Sequence, residues 1–271
     1  MEVNSPESGT FQGNTDVAIN ENGVFVVSWD ENDNLSAVSD AFISVFDANN
    51  NKIVESIAID SNNGGLGQTS VAIDDQLNIA VTATVRPDQG VVDVGFASPD
   101  ADVTGIVFDQ ADINAASLTG NPLSGGTILE VYPQNSENGF QSHSSVAIFG
   151  SEIIVTFSGE APDSVATDPD HINVYRVQFD VDGTNPTAAT RLGGAVGDIQ
   201  ESASVVSFHD NSSWAIIWRD ENGGNVIIDQ ALSATLPMHN RQARVLRCQS
   251  PREEFESFQE PILATAMLNS H

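Results

Sequence analysis

The chain has 271 residues, 40% of them hydrophobic, which is enough to bury a core as one large domain or two ordinary ones and argues against wholesale disorder. Thirty-eight Asp and Glu stand against nine Lys and Arg, a net charge of −29 that repels phosphate backbones and anionic lipid and leaves cations and neutral ligands as partners. A single cysteine, Cys248, excludes an intrachain disulfide framework and a thiolate zinc cluster.

No apolar run reaches the roughly 18 to 20 residues of a membrane helix, so no membrane insertion is expected. The first six residues lack the basic and apolar blocks of a signal peptide. That fits either a cytoplasmic protein or a segment of something longer. Lys52 is the sole lysine, and scarce lysine beside excess acid favours the second reading, with an extracellular or cell-surface location.

Self-similarity organises the chain. A segment from Gln12 through Val17-Ala18-Ile19, then a turn at Glu21-Asn22-Gly23 and the apolar run Val24 to Trp29, returns as Val71-Ala72-Ile73 with Leu77 to Ala83. It returns again as Val146-Ala147-Ile148 with Glu152 to Phe157, and as Val205-Val206-Ser207 with Trp214 to Asp220. Repeats therefore begin near residues 12, 66, 141 and 200, a unit of about 55 residues with an insertion at about 98–127 in the second. Each copy reads as a β-hairpin, because β-branched and aromatic residues suit a pleated sheet and Asn-Gly turns accept positive φ. A third strand is expected at Ala41–Phe46, His171–Phe179 and Asn225–Gln230, and a fourth at Lys52–Asp60 and Thr187–Leu192.

Four antiparallel strands per unit predict an all-β fold, a β-propeller-like array of four-stranded blades over residues 1–232, with a two-layer sandwich as the runner-up. Phe25, Val27 and Trp29 alternate onto one side of their strand, in a run apolar enough for both sides to be covered, as stacked blades require. Four repeats are recognisable, and four blades, five blades or an incomplete ring all fit. Residues 2–10 read as an outer strand able to latch a ring, or as an edge left by an absent blade.

The string Val3-Asn4, Gln12, Val17-Ala18, Gly23, Phe25-Val26-Val27 and Trp29, with Phe46-Asp47 and Phe179-Asp180, resembles the tandem repeat of large secreted bacterial proteins. That family often also carries haemolysin-type calcium-binding or cadherin-like modules. The resemblance covers residues 3 to about 230 and is diluted where Ala83 and Phe157 stand near the expected Trp. It implies propeller blades in a surface or exported protein without catalysis.

Two segments leave the pattern. Residues 98–127, with Ala111 to Leu118 and Gly120 to Gly126, read as an inserted loop with a helical turn. From residue 233 to 271 the alternation stops and Arg241, Arg244, Arg247 and Arg252 appear, a tail that reads as partly helical over Ser250–Phe258 or as disordered.

For chemistry, acidic turns stand out. Asp180, Asp182 and Asn185 resemble the opening of a calcium loop, since alternating oxygen side chains converge on one ion and Gly183 permits the bend. Asp30 to Asn34 and Asp220 to Asn222 have similar composition, and good turn-forming accounts for all three equally. The five histidines, at 143, 171, 209, 239 and 271, are not at ligand spacing, and no nucleophile elbow, zincin motif or phosphate loop is present. Gly64 to Gly67 reads as a loop between blades, His209-Asp210 as part of a turn, and Trp29, Trp214 and Trp218 as interblade core ahead of a sugar-stacking surface. No catalytic residue is assigned. The function read from this pattern is a non-catalytic extracellular or cell-surface binding or adhesion scaffold for a protein or glycan, calcium being its expected ion. The alternative is a carbohydrate-active hydrolase or lyase using acidic residues on the propeller's central face.

Overall fold

The computed structural model describes residues 10–33, 39–59, 65–86, 102–119, 123, 125–131, 141–159, 172–192, 200–207, 213–220 and 225–232. They form four antiparallel sheets, each built from consecutive strands. Blade 1 holds β1 (Thr10–Ile19), β2 (Phe25–Asp33), β3 (Ser39–Phe46) and β4 (Lys52–Ile59). Blade 2 holds β5 (Gly65–Ile73), β6 (Ile79–Arg86), β7 (Asp102–Phe108) and β8 (Thr127–Leu129), with helix α1 (Gln110–Thr119) between the last two. Blade 3 comprises β9 (Gln141–Phe149), β10 (Glu152–Gly159), β11 (Asn173–Asp180) and β12 (Thr190–Arg191), and blade 4 comprises β13 (Gln200–Ser207), β14 (Ser213–Asp220) and β15 (Asn225–Leu232). Among the described residues, no helix is long and apolar enough to cross a membrane.

The first strand of each blade is the inner one, and β1 packs on β5, β5 on β9 and β9 on β13. This is the radial repetition of a propeller, with four separate sheets where a sandwich would have two. Alternation within the strands explains the stacking. In β5, Val71 and Ile73 face blade 1 while Ala72 faces blade 3, so the sheet has two apolar faces. The core between blades 2 and 3 joins Ala72, Ala80, Val107 and Leu129 to Val146, Ile153, Phe157 and Phe179. Between blades 3 and 4, Ala147, Ile154 and Val174 meet Val205, Trp214, Ile216 and Trp218. Trp29, Ala83, Phe157 and Trp218 occupy one repeat position, all buried, so the tryptophans belong to the core.

Several boundaries differ from expectation. The segment 98–127 is not simply an inserted loop: β7 lies inside it as the third strand of blade 2, and the addition is essentially α1. That helix starts at a reciprocal cap in which the Asp112 N–H donates to Asp109 Oδ1 at 2.9 Å and the Asp109 N–H to Asp112 Oδ2 at 3.2 Å. Ile113 and Ala116 then bury its inner face against the junction of blades 1 and 2. Gly65 and Gly67 lie within β5 and not in a loop between blades. The proposed acidic turn at Asp30–Asn34 is strand as far as Asp33, because β2 keeps pairing with β1 up to Thr10. The latch at residues 2–9, His171, His209-Asp210, the loop at 221–222 and the tail at 233–271 lie outside the described residues.

Candidate functional site on the inner-strand rim

Each inner strand carries a β-bulge at the same repeat position. Pairing slips between Gly13 and Asp16, between Gly67 and Ser70, at the step from Ser142 to Ser145, and between Glu201 and Ser204. In every bulge the first of the two residues that face one on the partner strand is a non-glycine with left-handed backbone: Asn14 (φ 44°), Gln68 (55°), His143 (52°) and Ser202 (57°). A left-handed conformation costs an L-residue about 1–2 kcal/mol, so four equivalent instances need compensating contacts.

Those contacts run between neighbouring blades. Thr69 Oγ1 donates to the Asn14 carbonyl at 2.6 Å. Gln68 Oε1 accepts the His143 N–H of blade 3 at 2.8 Å and, within its own blade, the Thr84 hydroxyl at 3.1 Å. Ser158 Oγ accepts the Ser202 N–H at 3.0 Å. Just beyond the bulge a second ladder repeats: the Val71 N–H donates to Asp16 Oδ2 at 3.0 Å, the Val146 N–H to Ser70 Oγ at 3.3 Å, and the Val205 N–H to Ser145 Oγ at 3.1 Å. One side chain per blade thus receives the backbone of the next.

The result is a rim of hydrogen-bonding side chains around the inner strands, an amide at 14, an amide at 68, an imidazole at 143 and a hydroxyl at 202. Asp30, opposite Gly13 in β2, adds a carboxyl that burial raises above the ordinary value of 3.8, partly offset by a hydrogen bond from Asn14. Its Oδ1 is buried and without a hydrogen-bond partner. Two further rim acids are engaged: Asp16 holds the Ser70 hydroxyl at 2.9 Å besides Val71, and Glu31 accepts from Gln12 at 2.9 Å and from the Trp29 indole at 3.2 Å. Sequence reading placed Asp30 in a turn and missed the bulges, because none of the four left-handed residues is glycine. Their signal is a polar residue three positions before each repeat valine.

The expected calcium residues lie elsewhere, in the exposed turn between β11 and β12. Asn185 Nδ2 donates to Asp180 Oδ2 at 2.6 Å, and the Thr184 hydroxyl and N–H both donate to Asp182 Oδ1, at 2.6 and 2.9 Å. The Thr184 bonds hold the Asp182 carboxyl below its usual range. The same device closes two other hairpins: Asp47 accepts from Asn49 and Asn51, and Asp74 from Gln76 and Asn78. Among the described residues, no three His, Cys, Asp or Glu side chains gather as a metal site.

These blades and their ladders define an all-β, propeller-like repeat protein. No family model matches the chain, and no curated protein does. Solved structures match its fold at low identity. A Dyadobacter fermentans protein of unknown function superposes with a TM-score of 0.55 and 12% identity, over 84% of this chain and 68% of its own. A Fusarium graminearum GH93 α-L-arabinofuranosidase in complex with arabinobiose gives 0.53 and 10%, over 91% of this chain and 68% of its own. The parainfluenza virus 5 haemagglutinin-neuraminidase ectodomain gives 0.50 and 10%, over 90% and 56%. The chain therefore spans 56–68% of the length of these three. The likeness to secreted bacterial repeats holds for the propeller-like architecture, and nothing in these matches ties the chain to haemolysin-type or cadherin-like modules.

Proposed function

We propose that the protein is a carbohydrate-active hydrolase or lyase that holds a neutral glycan on the inner-strand rim, with Asp30 as its acid. The observation that carries this reading is the ring of bulge side chains, Asn14, Gln68, His143 and Ser202, beside a carboxyl whose pKa is raised by burial. Amide, imidazole and hydroxyl groups match the donors and acceptors of sugar hydroxyls. A carboxyl whose pKa burial raises keeps its proton to a higher pH than a free aspartate does, the direction a proton donor to a glycosidic oxygen needs. The first reading of the sequence, a non-catalytic scaffold, gives way to its alternative for this reason, and the arabinofuranosidase neighbour supports the same direction at the level of scaffold. An extracellular location accords with it.

One observation favours the non-catalytic reading as the second choice. Glycoside hydrolysis uses a pair of carboxyl groups, and Asp16 and Glu31 are both held by hydrogen bonds. A panel of neutral polysaccharides and oligosaccharides, arabinan and arabinobiose included, separates the two. Binding is measured by calorimetry and cleavage by new reducing ends. The hydrolase reading expects turnover that Asp30→Asn abolishes while binding persists. Binding without products leaves the scaffold, and neither binding nor products across the panel overturns the glycan assignment.

Calcium at Asp180, Asp182 and Asn185 belongs to the same proposal as a stabilising ion. It would have to take its oxygens from the hydrogen bonds that Asn185 and Thr184 now make, a cost its affinity must exceed.

A further inference from the structure

The three interblade junctions share one set of contacts, and the outer flanks of blades 1 and 4 are the two unmated halves of that set. On the side facing the preceding blade, the inner strand presents Val71 and Ile73 in blade 2 and Val146 and Ile148 in blade 3, all packed in interblade clusters. Their equivalents in blade 1, Val17 and Ile19, are 63% and 68% exposed. On the side facing the following blade, Ala72 and Ala147 are buried, while the equivalent Val206 of blade 4 is 46% exposed and Ile217 beside it in β14 is 38% exposed. Among the described residues the polar ladder is unmated at the same two places. Ser204 stands where Asp16, Ser70 and Ser145 accept the next blade's N–H, and it is exposed. The Val17 N–H, which in every later blade donates across a junction, is held instead by the Oδ1 of Asp16 beside it, at 2.8 Å.

We infer that the chain associates head to tail with a second copy of itself, the blade 4 flank of one copy seated on the blade 1 flank of the next. The occupant is a second copy because the two flanks complement each other by the same repeat positions that already mate three times within the chain. Val17 and Ile19 pack on Val206 and Ile217, the Val17 N–H donates to Ser204 Oγ, and the Ser204 hydroxyl donates to Asp16, as Ser70 does inside the array. Such a contact is heterologous, so each copy keeps one open flank after pairing, and growth stops only when a ring closes. The charge of −29 per copy opposes the approach, so added salt tightens it.

Analytical ultracentrifugation of the full chain tests this. Mass is expected to rise with protein concentration, and more steeply in high salt. Two double variants carry the decisive result, each placing acids at positions already exposed, with circular dichroism confirming unchanged folding. V17D/I19D removes one flank, V206E/I217E the other, and each alone is expected to be monomeric, with association weakened at least tenfold. Mixed, the two retain one intact flank each and form a 1:1 heterodimer that grows no further. A wild-type chain that stays monomeric at all concentrations and salt levels overturns the inference. Variants that associate as the wild type does overturn it too.

Discussion

Asp16 is the first rung of the interblade ladder, and its removal should weaken the joint between blades 1 and 2. Its carboxylate accepts the Val71 N–H at 3.0 Å and the Ser70 hydroxyl at 2.9 Å, both from blade 2. Val71 is buried, so in Asp16→Ala its N–H loses a charged acceptor with no water to replace it. Hydrogen bonds to charged groups contribute about 1.5–3 kcal/mol, and a stranded donor costs about 1–3. Asp16 is only half-buried, and its loss also relieves repulsion in a chain of charge −29, so the net cost should fall toward about 1–2 kcal/mol. For a domain of this size that lowers Tm by about 2–8 °C. Urea denaturation with an unchanged m-value is the assay, since a shifted midpoint alone then reports stability. The repeats supply their own rescue. Serine fills this position at 70 and 145 and accepts the N–H of Val146 and Val205. Asp16→Ser should therefore recover most of what Asp16→Ala loses. If Asp16→Ala matches the wild type, or Asp16→Ser is as unstable as Asp16→Ala, the ladder does not hold the blades together.

Asp30 should leave a signature in the pH dependence of stability. Its folded pKa is raised above 3.8, so the folded chain binds that proton more tightly than the unfolded one, and stability from this group rises as pH falls from the folded value toward 3.8. Asp30→Asn should erase that rise in the difference between the two denaturation series; a difference that is flat with pH contradicts the burial argument. Gly183→Ala should be strongly destabilising, by about 2–4 kcal/mol, because φ there is +82° and an added Cβ would lie 2.7 Å from Val107 Cγ1 and 3.0 Å from Thr127 Cγ2; thermal melting checks it. Calorimetric scans with and without millimolar calcium test the ion at Asp180, Asp182 and Asn185: a raised Tm that Asp182→Ala removes supports it, and an unchanged Tm eliminates it.

The blade pattern was legible because burial on both faces of a sheet leaves a plain mark, short apolar runs with one repeated Val-Ala or Val-Val step. Those steps at 17, 71, 146 and 205 are the inner strands, and Trp29, Ala83, Phe157 and Trp218 share a position despite their different sizes. Strand three of blade 2 was harder to read. Val103, Gly105 and Val107 alternate with Thr104 and Ile106 as a strand should, but an Ala-rich helix follows at once, and the stretch read as one insertion. Local pattern alone does not say that a sheet continues across a helical excursion; the pairing of Gly105 with Leu129 does.

The rim was illegible for a different reason. A bulge is a property of two strands at once, visible only when Gly13 and Asp16 are found opposite Asp30 and Ser28, so that the two residues between the first pair face the single residue between the second. Residue type helps where glycine marks a positive φ, and here Asn14, Gln68, His143 and Ser202 take that conformation without it. Gln12 corresponds to Leu66, Gln141 and Gln200, whereas Gln68 stands at the bulge, so a shared glutamine is no guide to shared position. The residue that repeats most faithfully is thus the one that packs, and the position that varies, amide, amide, imidazole, hydroxyl, is the one whose backbone repeats. At 68 the side chain itself supplies one of the interblade hydrogen bonds, its Oε1 accepting the His143 N–H, so the position that varies in residue type is also one that helps hold the repeated backbone in place.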